Sequence, residues 1–369
     1  MTAGFTGTPT TGTKLLPVQF TDGSTGPVTL WFWTFGEGGT SSDQNPLYTY
    51  TNPGIYSVSL TVGNGTGSST ITRASYITVN IPTYYREITV TDSPAIADYQ
   101  MKVTVPYDAH MKTDFGDIRF TGTDGTTVYN YWMETKTDGS SAVFWVKVPA
   151  ASTTMFRMYY GDPSLTTTSD GTGTFDFFDD FSGGLGKWTV EKTSGSYPSI
   201  VSGYLVAGGG TTSDPYGHTS LGSSDTYSGF QDGIIEFKHQ HATDGIGEVA
   251  FRGNLAGNTG YKGRWDARAG SEQVFLMPPY SGWANLGSAV PKWITAGTWY
   301  QGKLVVHGNV MDLYDNGNLK GTVTDNTYTS AGEIALQNHY GSYTNYDDVR
   351  VRKYAAPEPT TSIGSEVTV

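Results

Sequence analysis

Pro53-Gly54-Ile55-Tyr56-Ser57-Val58-Ser59-Leu60-Thr61-Val62 alternates without a break from Tyr56 onward. Tyr56, Val58, Leu60 and Val62 fall on one face of an extended chain, and Ser57, Ser59 and Thr61 on the other. A helix would scatter these apolar side chains around its surface, so the stretch reads as a half-buried strand opened by a Pro-Gly turn. Toward the N-terminus, Leu30-Trp31-Phe32-Trp33-Thr34-Phe35-Gly36-Glu37-Gly38 is an aromatic strand running into a glycine-rich turn. Val18-Gln19-Phe20 alternates before the turn Asp22-Gly23-Ser24, Asn45-Pro46-Leu47-Tyr48-Thr49-Tyr50 lies between, and Tyr76-Ile77-Thr78-Val79 closes the run. Short strands at this turn-bounded spacing predict an Ig-like sandwich of about seven strands over residues 1–81.

Composition extends the all-β reading to the whole chain. Its 369 residues leave room for several domains. Only 37% is hydrophobic, yet 14% is aromatic, and large rings fill thin sandwich cores because each buries much surface in a small layer. With 15% charged residues and 48 Gly, long helices lack their usual residues while turns between strands are well supplied. The net charge of −12 repels nucleic acid and anionic lipid, which argues against both as partners and is compatible with divalent cations. The absence of cysteine excludes thiol chemistry and fits a bacterial, archaeal or viral exterior protein. No run approaches the ~20 apolar residues of a membrane helix. Met1-Thr2-Ala3-Gly4 does not read as a signal peptide, so either the chain is trimmed or it leaves its cell another way, as a virion component would.

Residues 82–172 hold Tyr84 to Val90, Tyr99 to Val105, Phe115-Gly116-Asp117-Ile118-Arg119-Phe120, Tyr131-Trp132-Met133-Glu134, Ala142 to Pro149 and Met155 to Asp162. Each reads as a strand, and together they predict a second β-sandwich. Residues 173–356 open with Phe178-Asp179-Asp180-Phe181-Ser182 and close with Tyr346-Asp347-Asp348-Val349-Arg350-Val351. A unit of this length that begins and ends on matched strands predicts a two-sheet jelly roll. Residues 357–369, headed by Pro357-Glu358-Pro359, read as an extended tail, either a linker or a strand that packs back.

The first segment resembles the polycystic-kidney-disease (PKD) repeat, on Trp33-Thr34-Phe35-Gly36-Glu37-Gly38, Asn45-Pro46 with Tyr50, and Pro53-Gly54 with Tyr56 and Val58. Glu37 stands where that family usually has Asp. The resemblance implies a spacer or adhesion module without catalysis. The order Asp117-Ile118-Arg119-Phe120, Tyr131-Trp132 with Glu134, Val143 to Pro149 and Tyr159-Tyr160-Gly161-Asp162 resembles domain of unknown function 2341, which accompanies PKD repeats in archaeal and bacterial surface proteins. The third segment resembles the concanavalin/laminin-G-like fold, from which function does not follow.

Glycoside hydrolysis needs paired carboxylates, and strand Gly233 to His239 offers only Glu236, with Ile234 and Lys238 at the flanking same-face positions. No nucleophile elbow occurs. His239 and His241 share a strand face and read as structural rather than as zinc ligands. Asp179, Asp180, Asp347 and Asp348 flank the first and last strands of the jelly roll and could supply part of a structural Ca²⁺ shell. In the strands Glu248 to Arg252, Tyr261 to Arg268 and Ile334 to Tyr340, the inward positions are apolar. Arg252, Arg264, Asp266, Gln337 and His339 then share the other face, where arginine forks bind carboxylates or sugar acids. Tyr280 and Trp283, in a Pro/Gly loop, could stack on a sugar ring. Asn64-Gly65-Thr66 is a glycosylation sequon.

These readings converge on a non-enzymatic extracellular surface protein for adhesion or glycan binding, with the jelly roll as the binding module. The alternatives are a structural subunit of a surface layer, sheath, filament or virus particle, whose partners are copies of itself, and a glycosidase.

Overall fold

The computed structural model describes residues 1–80, 84–193, 197–208, 219–223, 227–243, 245–254, 259–267, 273–277, 284–286, 294–340 and 343–368. The expected junction at 81–82 lies outside them. The chain forms two compact units, Met1–Thr174 with Pro357–Val369, and Phe175–Ala356. The first two expected sandwiches thus share one unit, and the tail belongs to it.

The alternation of the opening stretch is realised in strand Gly54–Gly63, where Val58, Leu60 and Val62 are fully buried. Tyr56 is half-buried at the point where the register slips. This strand is central in a sheet ordered Thr11–Thr13, Ser68–Asn80, Gly54–Gly63, Leu30–Thr34, Thr40–Ser41. A second sheet, Phe5–Thr8, Leu16–Asp22, Leu47–Tyr50, adds Phe5, Leu16, Val18, Phe20 and Tyr50 to the same core. Trp33 packs edge-on against Phe5 at 5.2 Å, and its Nε1 donates to Asp43 O at 2.8 Å, so the ring is buried without leaving its donor unpaired. The turn after the aromatic strand needs Gly36: its φ is +82°, and a Cβ there would lie 2.6 Å from Ser57 O. Glu37 keeps that turn tied despite its extra methylene, because its carboxylate accepts from Thr51 N at 3.0 Å and from the Asn52 side-chain amide at 2.8 Å.

The second sandwich pairs a sheet ordered Tyr99–Pro106, Ser141–Val148, Tyr131–Thr137 with one ordered Val128–Tyr129, Arg119–Thr121, Met155–Tyr160, Tyr84–Thr91, Thr360–Thr368. The tail is therefore an edge strand, antiparallel to Tyr84–Thr91 with Thr360 opposite Thr91 and Thr368 opposite Tyr84. Of the two sequence alternatives, it packs back. Glu366 holds it in place by accepting from Tyr160 Oη at 2.7 Å and facing His110 Nδ1 at 3.1 Å. The two sandwiches cohere because Leu165 inserts into the first core and Thr13 N donates to Asp162 Oδ2 at 2.6 Å.

The unit Phe175–Ala356 is a sandwich of two large sheets among the described residues. One runs Ser199–Val201, Tyr204–Gly208, Tyr343–Arg352, Gly233–His241, Tyr300–His307, Val310–Asp315, Asn318–Thr324, with Phe177–Asp179 also paired to Tyr343–Arg352. The other runs Thr189–Thr193, Thr219–Gly222, Glu333–Tyr340, Ile246–Asn254, Thr259–Asp266, Gln273–Met277, Ala284–Asn285. The first and last expected strands are matched as the sequence implies, with Phe177 opposite Val351 and Asp179 opposite Val349. One core that includes Phe237, Val249, Phe251, Trp265, Leu304, Leu336 and Val351 lies between the sheets. Among the described residues no helix is long and apolar enough to cross a membrane.

Candidate functional site

The strand register brings part of the expected charged face together. Glu248 lies opposite Arg264 on one side and Gln337 on the other. The face is not open to solvent: Glu248, Lys262, Asp266 and Gln337 are all buried. Glu248 accepts from Lys262 Nζ at 2.6 Å and from Arg264 Nε at 2.7 Å. Burial draws the Lys262 ammonium down to about 8, outweighing the opposite pull of Glu248. Alternation places these residues on one face whether or not anything covers it, which is why the sequence could not tell a binding row from a buried ion cluster.

Arg252 leaves the row. The ladder slips between Ala250 and Gly253, and Arg252 takes a φ of +51°, so the bulge re-aims its side chain. Its Nε donates to Gln231 O and its Nη2 to Asp232 Oδ1 at 2.9 Å. His339 sits on strand Glu333–Tyr340, but its side chain falls outside the described residues, as do Tyr280 and Trp283 altogether.

The four aspartates proposed for calcium do not converge. Among the described residues, the group whose ligating atoms come within 4.8 Å of one another is Asp108, His110 and Glu366, in the other unit. Asp179 points into the core, accepting from Trp188 Nε1 at 2.6 Å and Phe181 N at 2.9 Å. Asp180 caps its own turn by accepting from Ser182 N and Oγ. Asp348 pairs with Lys238 Nζ, which also lies 3.7 Å from Asp347 Oδ2. An ammonium thus stands beside the carboxylates that were expected to hold a metal.

Glu236 is closed to acid–base chemistry. Its Oε2 accepts from Arg350 Nε at 2.8 Å and its Oε1 from Arg352 Nη2 at 3.0 Å. Burial alone would raise its pKa, but the Arg352 and Arg350 guanidiniums hold it well below the usual carboxylate range.

An open groove of about 330 Å³ lies on the outer face of the sheet that contains Lys238, lined by Tyr204, Lys238, Trp299, Tyr300, Gln301 and Asp347. That volume sits near the lower end of ~300–1,000 Å³ for ligand pockets. Its floor is a cross-strand row, with Lys238 opposite Asp347 on one side and Gln301 on the other. Its wall is Trp299, 37% exposed and edge-on to Tyr204 at 5.3 Å between centroids. Burial and the neighbouring Asp348 carboxylate push Asp347 up to about 6. The sequence carries a signal for this wall in the alternation around it. Tyr300, Gly302, Leu304 and Val306 are inward, so the same alternation sends Trp299 and Gln301 outward, and an outward tryptophan needs an explanation.

Comparison with known proteins places residues 2–79 in a match to the PKD domain and residues 114–191 in a match to the domain of unknown function DUF2341. The second match extends past Thr174 into the first strands of the unit Phe175–Ala356. Among curated proteins, none matches the chain. Similar solved structures include the carbohydrate-binding module CBM66 from Bacillus subtilis, at 17% identity and a TM-score of 0.38 over 45% of this chain and 96% of that one. A Bacillus subtilis protein of unknown function with a galectin-like fold follows at 14% identity and a TM-score of 0.40, over 48% and 96%. The β-glucanase of Bacillus licheniformis is similar at 16% identity and a TM-score of 0.36, over 48% and 98%.

Proposed function

We propose that the unit Phe175–Ala356 is a non-catalytic glycan-binding module of an extracellular surface protein, that its site is the Tyr204–Trp299 groove, and that its role is adhesion. The observation that carries this reading is the exposed Trp299 ring beside the Gln301, Lys238 and Asp347 row. A sugar ring offers an apolar C–H face to an aromatic wall and hydroxyls to amide and charged groups, which is the mixture this groove presents. The locked state of Glu236 supports the non-catalytic half. Calcium enters this reading only as a competitor for the two carboxylates that flank Lys238, so glycan binding should not require Ca²⁺ and should be at least as tight in EDTA.

The test is a glycan array and calorimetry with the full chain and its Trp299→Ala variant. Binding to at least one glycan, lost in the variant, is expected. A flat response across all glycans, or unchanged binding by the variant, overturns the reading, and release of reducing sugar overturns its non-catalytic half. The Arg264 row is a second reading, favoured by the register that sets Arg264 and Gln337 on either side of Glu248. It gains if Arg264→Ala loses binding while Trp299→Ala keeps it.

A further inference from the structure

The floor of the Tyr204–Trp299 groove holds one ammonium, Lys238, and one carboxylate, Asp347, with Asp348 beside them. Asp348 pairs directly with Lys238, and its side chain is 11% exposed. Asp347 is the more open of the two, at 24%, and its Oδ2 stays 3.7 Å from Lys238 Nζ. That is ion-pair rather than hydrogen-bond distance, so this oxygen keeps room for a further donor. Its Oδ1 accepts from Asp348 N at 2.8 Å. The nearby cations Arg350 and Arg352 turn to Glu236, so the carboxylate that lines the groove, Asp347, keeps Oδ2 for a ligand. The raised pKa of Asp347 has the same origin after burial: Asp348 and Asp180 both press on it, against Lys238.

From the open Asp347 oxygen and the aromatic wall, we infer that the groove selects glycans bearing a protonated amine, such as oligomers of unacetylated amino sugars, over N-acetylated or uronic-acid oligomers. The inference rests on the glycan-binding reading of the same groove. An ammonium on the sugar gains Asp347 as a charge-assisted acceptor, and the faces of Tyr204 and Trp299 attract a cation through their ring quadrupoles. N-acetylation removes the charge while keeping ring and hydroxyls. A uronic carboxylate meets Asp347 as a like charge, which specificity exploits as repulsion. Because the groove is partly open, the preference should be moderate.

The experiment is calorimetry of the full chain with glucosamine oligomers, the matching N-acetylglucosamine oligomers and galacturonate oligomers, at neutral pH and low salt. Amine-bearing oligomers are expected to bind about tenfold tighter than the N-acetylated ones. Asp347→Asn should erase that difference while keeping Trp299-dependent binding of the neutral oligomer. Equal or tighter binding of N-acetylated or uronic oligomers overturns the inference but spares the glycan-binding reading, provided that Trp299→Ala abolishes the binding. A preference that survives Asp347→Asn also overturns it. If none of the three binds, a broad array decides between the two claims: binding of other, neutral glycans sinks the inference alone, and no binding at all sinks both.

Discussion

His239 Nδ1 lies 2.8 Å from His241 Nε2, with both rings wholly buried. The pair is the middle of a polar chain through the core. His239 Nε2 faces Asp315 Oδ1 at 3.3 Å, His241 Nδ1 faces Thr344 Oγ1 at 3.2 Å, and Thr344 Oγ1 donates to Asn338 Oδ1 at 2.8 Å. The chain thereby joins one sheet of the sandwich to the other. The strand pattern reads the pair as structural, and both rings are fully buried with partners.

Burial, with the neighbouring His239, lowers the pKa of His241 well below 6.5. A histidine whose folded pKa is depressed stabilises the fold above its unfolded pKa, and that stability is lost as pH falls toward the folded value. Thermal melts of the full chain should show the transition of Phe175–Ala356 falling as pH drops below about 6.5, by up to ~1.4 kcal/mol per pH unit. His241→Gln should flatten that dependence, and a pH-independent transition in the unsubstituted chain contradicts the assignment.

Glu236 between Arg350 and Arg352 makes a second prediction, of the same sign in a more acidic window. Removing one member of a buried ion cluster leaves charge uncompensated, at a cost of about 3–5 kcal/mol. Glu236→Ala should therefore lower the stability of the unit by that order in urea unfolding. Because the folded pKa of Glu236 is depressed, its contribution is fully present above the ordinary carboxylate range and is lost progressively as pH falls from there toward the folded pKa. A variant as stable as the parent would remove the argument.

Trp299 and Arg264 separate binding from folding. Trp299 is 37% exposed and lies outside the core between the sheets, so Trp299→Ala should leave the unit folded, lowering the melting temperature by about 2–4 °C, while weakening glycan binding by roughly thirtyfold or more, enough to remove it from an array. Arg264 is 14% exposed in its side chain and bonded to Glu248. Arg264→Ala should destabilise the unit by about 1–3 kcal/mol and leave glycan affinity unchanged. The reverse pattern in paired melts and binding isotherms would relocate the site.

The strand Thr360–Thr368 contributes its ladder to Tyr84–Thr91. Deleting residues 357–369 should expose that ladder, raising amide exchange by tenfold or more in native-state hydrogen exchange at Tyr85 and Thr89, which alternate with Val90, whose N–H donates to Thr154 O on the other side. Amides in strand Gly233–His241 of the other unit should keep their protection. Unchanged exchange along Tyr84–Thr91 would mean that the strand adds nothing to the sheet.

Alternation and turn residues made the strands legible, down to Val58, Leu60 and Val62 on the buried face. They also made legible the pairing of the Phe178 and Val349 neighbourhoods. They placed Arg264 and Gln337 on a common face with Glu248, because period two depends only on local geometry. They misplaced Arg252, since a bulge adds a residue without marking the pattern. They joined four aspartates into one site, since proximity of strands says nothing about where carboxylates turn.

What the chain order determined by itself was therefore the all-β class, the strand faces and the two N-terminal sandwiches, all consequences of backbone periodicity and turn chemistry. What the tertiary structure alone decided was which faces stay open. Long-range pairing sets the tail against Tyr84–Thr91, buries the Glu248 cluster, gives Lys238 to the aspartates and leaves Trp299 beside Tyr204 in solvent. Burial depends on contacts between residues far apart in sequence, and no local pattern encodes it.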